Sequence, residues 1–159
     1  MQAGFRSIAL ILAGGLILMT ATIPAHADTD AQKLKTAKEM IRAWDTLDWA
    51  KVVDLFSDDG VLHSMMVEPV VGKAAIRERI TALGAGIRRI ELKVAHIGII
   101  DGRVFIERVD DFDYKGHAGT VPVVGVLEIE NGHVRVWREY YDRAQLLHAM
   151  GADLPAAGH

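Results

Sequence analysis

The sequence predicts an α+β protein, in which a curved, mixed or antiparallel sheet wraps around helices and encloses a deep apolar pocket. Apolar residues recur at helical spacing in the first part of the chain, and from Ile87 onward they alternate with a period of two. The dipeptides Asp101-Gly102 and Asn131-Gly132 are typical of two-residue hairpin turns between antiparallel strands. Helices followed by an antiparallel meander are typical of the α+β class.

Residues 1–27 are predicted to be a cleaved secretory signal. Arg6 precedes an apolar run over 8–19, and a proline and the small-x-small triplet 25–27 follow it. The apolar run is short for a permanent membrane span, although retention as an uncleaved anchor stays open. The mature chain, 28–159, is then expected to be one exported bacterial domain, periplasmic or secreted, with no membrane partner after cleavage.

The first elements of the mature chain are predicted from capping residues and apolar spacing. Thr29 and Gln32 fit a capping box at the start of a helix over 30–46. Asp48 can cap a short second helix, which the dipeptide Asp59-Gly60 is expected to end.

The remaining elements follow from a second change of pattern. Residues 61–72 are predicted to form a strand and then an irregular segment, and 73–86 a third helix with Ile76 and Ile80 turned inward. Four strands are predicted over 88–99, 103–114, 120–130 and 133–143, with a loose turn between the middle pair and a short helix or tail after the last.

Composition excludes several classes of function. The chain has 159 residues, 25% of them charged, and its formal net charge of −3 is too small to suggest nucleic acid as a partner. It has no cysteine, so it has no disulfide. The histidines show no spacing typical of metal ligands, and no glycine-rich phosphate loop follows a strand. We therefore expect neither a metal nor a cofactor.

The strand predicted over 103–114 carries a charged pair within its apolar face. Strand side chains alternate between the two sides of a sheet. One side holds Val104, Ile106, Arg108, Asp110 and Phe112. A charge turned toward a core is costly unless it is paired. Arg108 and Asp110 therefore form either a rim ion pair or part of a functional pocket, and the strand pattern alone leaves both open.

The last strand adds a further carboxylate, Glu139, but both of its faces mix apolar and charged residues. Periodicity does not say which face lies inside. If Glu139 faces the pocket, Arg108 lies between two carboxylates and its planar fork of donors can hold both. Two carboxylates in one apolar pocket can divide into a protonated acid and an ionised base, which acid–base activation of water requires.

The segments FIERVDDF (105–112) and VVGVLEIENGHVRVWREYYD (123–142) together resemble the limonene-1,2-epoxide hydrolase family. That family lies within the SnoaL-like and nuclear transport factor 2-like cone fold. Its pattern is E-R-V-D on one strand, a hydrophobic-Gly-Val step on the next, a short turn, and then W-R-D-Y-F-D. The resemblance extends, more weakly, over the first helices. It implies a cone fold and cofactor-independent hydrolysis without a covalent intermediate.

The resemblance also implies roles by position. Asp110 would protonate the epoxide oxygen, Arg108 would orient both acids, and Glu139 would activate the water. Glu139 stands where the family has an aspartate, so its carboxylate reaches one methylene farther. The family holds the water with a tyrosine and an asparagine. Leu62 and Ser64 stand at those positions, and only the serine can form a hydrogen bond.

The expected wall of the pocket includes these two aligned residues. Six residues are predicted to contact substrate or water: Leu62, Ser64, Met65, Ile106, Phe112 and Trp137. Met40 and Trp44 are expected to line or close the pocket as ordinary core. Tyr140 and Tyr141 are expected in sheet packing or at a dimer face, which is also the alternative for Trp137.

The leading functional hypothesis is the addition of water to a small lipophilic epoxide to give a vicinal diol. Two alternatives stay open. One is an isomerase or cyclase of the ketosteroid isomerase or polyketide cyclase kind, with Asp110 or Glu139 as the proton-transfer base. The other is a non-catalytic exported protein that binds a hydrophobic ligand. Cone-fold relatives commonly pair through the open sheet face, so we also expect a homodimer.

Overall fold

The computed structural model describes residues 28–152. The predicted signal sequence, 1–27, and the end of the chain, 153–159, lie outside the described residues. In chain order the elements are α1 (Asp30–Asp45), α2 (Trp49–Asp54), β1 (Phe56–Ser64), β2 (Val70–Val71), α3 (Lys73–Gly84), β3 (Ile87–Ile100), β4 (Arg103–Tyr114), β5 (His117–Glu130), β6 (His133–Tyr141) and α4 (Arg143–Ala149). The α+β class is therefore confirmed.

The strands form one six-stranded sheet in the order β2-β1-β6-β5-β4-β3. All neighbours are antiparallel except β1 and β6, which run parallel, so the sheet is mixed. The pairing skips two residues in β3, Arg88 and Ala95, and one in β6, Arg135. Bulges of this kind bend a strand and increase its twist. The sheet is accordingly curved and does not close on itself.

The helices pack against the curved sheet and divide the apolar core into two clusters. α1 contacts β3 to β6, α3 contacts β1 to β3, and α4 packs on β5. The larger cluster joins the first three helices to the sheet and includes the fully buried Met40 and Phe56. The smaller one contains Phe112, with Leu146 of α4 and Met150, which follows that helix, packed against it. The region between the two clusters is where the cavity described below opens.

Local signals define several element ends. Thr29 and Gln32 form the predicted capping box, and the Asp48 carboxylate accepts a hydrogen bond of 3.0 Å from the Lys51 backbone N–H. At both predicted hairpin turns the two central residues have positive φ, 48° and 73° at Asp101-Gly102 and 52° and 75° at Asn131-Gly132. These are the left-handed conformations that Asx-Gly turns adopt readily.

Two boundaries differ from the prediction. β1 begins at Phe56, so Asp59-Gly60 lies inside the strand, in an irregular stretch where pairing with β6 is interrupted. The Gly60 carbonyl accepts a hydrogen bond of 2.7 Å from Gly72, which lies far from it in sequence. The strand continues here because backbone groups distant in sequence form hydrogen bonds with it. The local sequence predicts that the element ends at Asp59-Gly60, because it carries no information about those distant groups.

The turn between β4 and β5 is tighter than predicted. β5 begins at His117, and Lys115-Gly116 alone joins the strands, with φ of 52° and 91°. The pairing of Tyr114 with His117 closes the hairpin. Within residues 28–152 no helix is long and apolar enough to cross a membrane.

Candidate active site

β4 turns its charged pair into the protein. Ile106 is fully buried, Phe112 is 4% exposed, and Arg108 between them is 3% exposed. The predicted apolar face of this strand is therefore its inward face. Ile106 belongs to the larger cluster and Phe112 to the smaller one. Arg108 and Asp110 thus occupy the join between the two clusters, where packing leaves a cavity.

β6 presents Trp137, Glu139 and Tyr141 to the same cavity. Val134 is also buried, although it lies an odd number of residues before Trp137. The extra residue at Arg135 explains this, because a one-residue bulge reverses the alternation between the two faces. This is the physical reason why periodicity left the inward face of the strand undecided.

Arg108 bridges the two carboxylates. Its Nε donates to Asp110 Oδ1 at 2.6 Å and its Nη2 donates to Asp110 Oδ2 at 3.1 Å. The same Nη2 donates to Glu139 Oε1. The carboxylate side chains of Asp110 and Glu139 keep 14% and 19% of their exposure, so a molecule in the cavity can reach both. The predicted acid–Arg–acid arrangement is present in the structure.

Burial and neighbouring charges determine the pKa values of Asp110 and Arg108. Burial raises the pKa of Asp110 to about 6, against the opposing effect of Arg108 and with smaller contributions from Glu139 and Asp45. Burial acts to lower the pKa of Arg108, but Glu139 and Asp110 outweigh it and hold that pKa above its ordinary value. The site thus combines a permanent cation with an acid that keeps a proton to nearly neutral pH.

Gly125 of β5 makes room for the guanidinium. A Cβ at this position would lie 2.8 Å from Arg108 Nη1 and 3.1 Å from Trp137 Nε1. Arg108 Cζ lies 5.6 Å from the centre of the Trp137 ring, within the range of a cation–π contact. The glycine therefore lets the indole and the guanidinium pack closely on the sheet backbone.

The cavity has a volume of about 490 Å³ and a mainly apolar wall. Four of the six predicted pocket residues line it: Leu62, Ser64, Phe112 and Trp137. Trp44 lines it as well, whereas Met40 is fully buried in the core. Within residues 28–152 no cluster of three or more histidine or carboxylate side chains could hold a metal ion.

The other two predicted pocket residues lie elsewhere. Ile106 shares the face of Arg108, but the larger cluster covers it completely. Met65 follows the last residue of β1 and is 37% exposed, because Leu62 and Ser64 turn inward and alternation directs the next side chain away. Its backbone N–H donates to the Glu139 carbonyl at 3.0 Å, so Met65 anchors β1 to β6.

Sequence reasoning missed two contributors to the wall. Tyr141 lines the cavity and its Oη donates to Ser64 Oγ at 3.0 Å, whereas Tyr140 is 45% exposed. The parity of Tyr141 with Glu139 could have indicated this. Leu146 of α4 and Met150, which follows that helix, also line the cavity and carry no such signal, because only the packing of the helix brings them there.

A curved mixed sheet around helices, with an acid–Arg–acid group in its cavity, defines a protein of the cone fold with two carboxyl groups and an arginine at the cavity wall. A model of the limonene-1,2-epoxide hydrolase catalytic domain matches residues 31–151. The chain belongs to the limonene-1,2-epoxide hydrolase family.

Solved structures agree on the fold. An LEH-like epoxide hydrolase of M. tuberculosis superposes with a TM-score of 0.68 at 20% identity, over 76% of this chain and 90% of that chain. A Xanthomonas campestris protein assigned as a polyketide cyclase gives 0.68 at 15% identity, over 76% and 98%. A Catenulispora acidiphila protein with a ketosteroid isomerase-like fold gives 0.67 at 19% identity, over 75% and 94%. At these identities the likeness extends to the fold alone.

Proposed function

We propose that the protein is a cofactor-independent epoxide hydrolase, which adds water to a small lipophilic epoxide and releases a vicinal diol. One observation carries this proposal. The buried Arg108 holds Asp110 and Glu139 together at the wall of an apolar cavity. Buried ion pairs are poor stabilisers, and a perturbed acid in a cleft is typical of a catalytic site.

In this proposal Asp110 is the general acid. An epoxide opens slowly at neutral pH unless its oxygen receives a proton as the C–O bond breaks. The pKa of Asp110, raised by burial to about 6, keeps part of this carboxyl protonated in nearly neutral solution. Arg108 fixes the carboxyl orientation through two hydrogen bonds.

Glu139 is the general base for the attacking water. A water O–H bond breaks, its proton goes to the Glu139 carboxylate, and the new C–O bond forms at an epoxide carbon. The electrons of the broken epoxide bond go to its oxygen, which takes the Asp110 proton. Glu139 ends protonated and Asp110 ionised, so a proton must pass back through the cavity water before the next turnover. Arg108 remains a cation throughout and offsets the charge that moves between the two acids.

The cavity supports a small lipophilic substrate. Its volume of about 490 Å³ lies within the range of small-molecule sites. Its wall is mainly apolar, and beyond the acid–Arg–acid group its charged residues are the exposed Glu68 and Arg79 and the half-buried Arg143. An apolar ring or chain in this cavity would place its epoxide at the only charged group in the depth of the described wall.

Product analysis in ¹⁸O-labelled water tests the proposal. The purified protein is incubated with a panel of small epoxides, and we expect diol with one labelled oxygen. Asp110→Asn and Glu139→Gln should each lower turnover by about 10²–10⁴-fold. Asp111→Asn, the next residue but on the outer face, is the matched control and should leave turnover unchanged. Turnover that survives both inner substitutions would refute the mechanism.

The pH dependence gives a second test. Asp110 must be protonated to act as the acid, and its pKa is about 6. We therefore expect kcat/KM to fall as the pH rises above about 6. The residual activity of Asp110→Asn should lack this alkaline fall. A profile that stays flat from pH 5 to roughly pH 8 would exclude Asp110 as the acid.

Proton transfer at a carbon acid, in an isomerase or cyclase, is the second candidate function. The raised pKa of Asp110 favours it, since a carboxylate in an apolar cavity can also accept a proton from carbon. The test is to incubate the protein with a cyclic ketone in D₂O. If an acidic C–H exchanges with deuterium only when the enzyme is present, and no epoxide gives a diol, this second function replaces the first proposal.

We further propose that two copies pair through the outer face of the sheet, and that residues 1–27 direct export. The outer face carries exposed apolar side chains at Val109, Val124 and Tyr140. Light scattering should then give twice the mass of one chain, and the Val124→Lys variant should have the mass of a single chain. Sequencing of the exported protein should begin at Asp28.

A further inference from the structure

Two hydroxyl groups stand beside the general base of the proposed hydrolase. In the parallel pairing of β1 with β6, Ser64 lies directly opposite Glu139. Tyr141 follows Glu139 by two residues and therefore shares its face of the strand. Ser64, Glu139 and Tyr141 all line the cavity. The hydrogen bond from the Met65 N–H to the Glu139 carbonyl holds the two strands in this register.

One hydrogen bond joins the two hydroxyls. Tyr141 Oη donates to Ser64 Oγ at 3.0 Å. Burial raises the pKa of the Tyr141 phenol above its ordinary value, so the phenol keeps its proton in neutral solution. A serine oxygen has two acceptor lone pairs, and the tyrosine occupies one of them. The other is available to a molecule in the cavity.

Ser64 stands at a position from which the family holds the hydrolytic water. We propose that Tyr141 is a positioning residue, which fixes the Ser64 hydroxyl so that it holds this water for Glu139. This inference rests on the proposed hydrolase function. One water hydrogen points to the Glu139 carboxylate and the other to the free lone pair of Ser64 Oγ. A lone pair of the water oxygen is then directed at the epoxide carbon.

The rest of the nearby wall supports this assignment. Leu62, which lies opposite Trp137 in the same strand pairing, has no group that can bind water. Ser64 is therefore the only side chain of β1 that lines the cavity and can form a hydrogen bond. When the water attacks, its proton passes to Glu139, while Ser64 and Tyr141 keep their own protons. Their contribution is to hold the water in place, where an error of about 1 Å can cost on the order of 10²-fold in rate.

A double-mutant cycle on the full-length protein tests the inference. The probes are cyclohexene oxide and styrene oxide, and the variants are Ser64→Ala, Tyr141→Phe and their combination. We expect each single change to lower kcat by roughly 10- to 10²-fold with KM unchanged. Because Tyr141 acts through Ser64, the double variant should be no slower than Ser64→Ala alone. Tyr140→Phe, on the outer face, is the matched control and should have the kcat of the wild type.

Several results would overturn the inference. A wild-type kcat for Tyr141→Phe would remove its positioning role. A double variant whose loss is the product of the two single losses would mean that the hydroxyls act independently. A rise in KM at constant kcat would indicate a packing contact with substrate. If Tyr141→Phe does not fold, Ser64→Ala alone decides, and a wild-type kcat there refutes the inference. A wild-type protein that opens neither these probes nor the wider panel refutes the hydrolase proposal itself.

Discussion

Asp110 and Asp111 are neighbours on β4, yet their carboxyl groups behave in opposite ways. Asp110 faces the cavity, where burial raises its pKa to about 6 despite two hydrogen bonds from Arg108. Asp111 faces outward, where hydrogen bonds of 2.6 Å from Lys93 and from Arg89 lower its pKa. Both carboxylates have cationic partners, so the presence of a partner does not decide whether the pKa is raised or lowered. Access to water does.

The difference between the two faces lies in the ratio of cations to carboxylates and in their contact with water. On the outer face two cations serve one carboxylate in contact with water, and charging it carries little penalty. On the inner face one guanidinium serves two carboxylates, and at Asp110 the loss of hydration exceeds the attraction. The inner arrangement keeps an acid protonated near neutral pH at a cost in stability, which is typical of active sites.

Removal of the inner cation should have the largest effect. Arg108→Met leaves Asp110 and Glu139 without their shared partner in a buried place. We expect loss of activity and a decrease of about 3–5 kcal/mol in the free energy of unfolding, measured by urea denaturation at neutral pH. Arg89→Met, on the outer face, is the control: it should leave activity unchanged and affect stability far less, as is usual for exposed ion pairs. Equal effects of the two substitutions would remove the distinction between the faces.

The packing of the guanidinium is the next test. In Gly125→Ala the new Cβ would come within 2.8 Å of Arg108 Nη1, so the guanidinium must shift away from the carboxylates. We expect kcat to fall by on the order of 10²-fold and the melting temperature to decrease. Gly98→Ala on β3 is the matched control, because no atom lies within 4 Å of its added Cβ. If both variants keep wild-type activity, close packing at Gly125 is irrelevant to the site.

The stability of the protein should also report the burial of Asp110. Its pKa is about 6 in the folded chain against an ordinary 3.8, so the folded state binds the proton more tightly than the unfolded state. This contribution to stability is complete below pH 4 and is lost as the pH rises through about 6. Asp110→Asn lacks that loss, and we expect it to be more stable than the wild type at pH 8 by on the order of 1–3 kcal/mol. Urea denaturation at pH 4 and pH 8 checks this, and an equal difference at both would contradict it.

The smallest effect is expected on the outer face. The pKa of Asp111 is lowered in the folded chain, chiefly by its hydrogen bonds from Lys93 and Arg89. Its contribution to stability is therefore present above its ordinary pKa and lost as the pH falls below that value. Asp111→Asn should slightly lower the melting temperature at neutral pH and low salt, with no change in kcat. The difference should shrink in 1 M salt, because salt screens exposed charges. A change in the kcat of Asp111→Asn would contradict this expectation, because it would mean that the outer face influences the cavity.

The sequence by itself determined the features that depend on neighbours in the chain. The capping box at Thr29 and the Asp101-Gly102 and Asn131-Gly132 hairpins follow from local hydrogen bonds and from backbone conformations that few residues adopt. The inward face of β4 follows from alternation, since no bulge interrupts that strand between Val104 and Phe112. Pattern matching to known relatives also named the acid–Arg–acid group.

Only the tertiary structure decided the features that depend on distant partners. The bulge at Arg135 reverses the alternation in β6, and this places Glu139 beside Arg108. Core packing closed over Ile106 while the end of β1 turned Met65 outward, so neither lines the cavity. The pKa of Asp110 has the same origin. A carboxyl group has one intrinsic pKa in every sequence, and only the fold decides whether water or a cavity surrounds it.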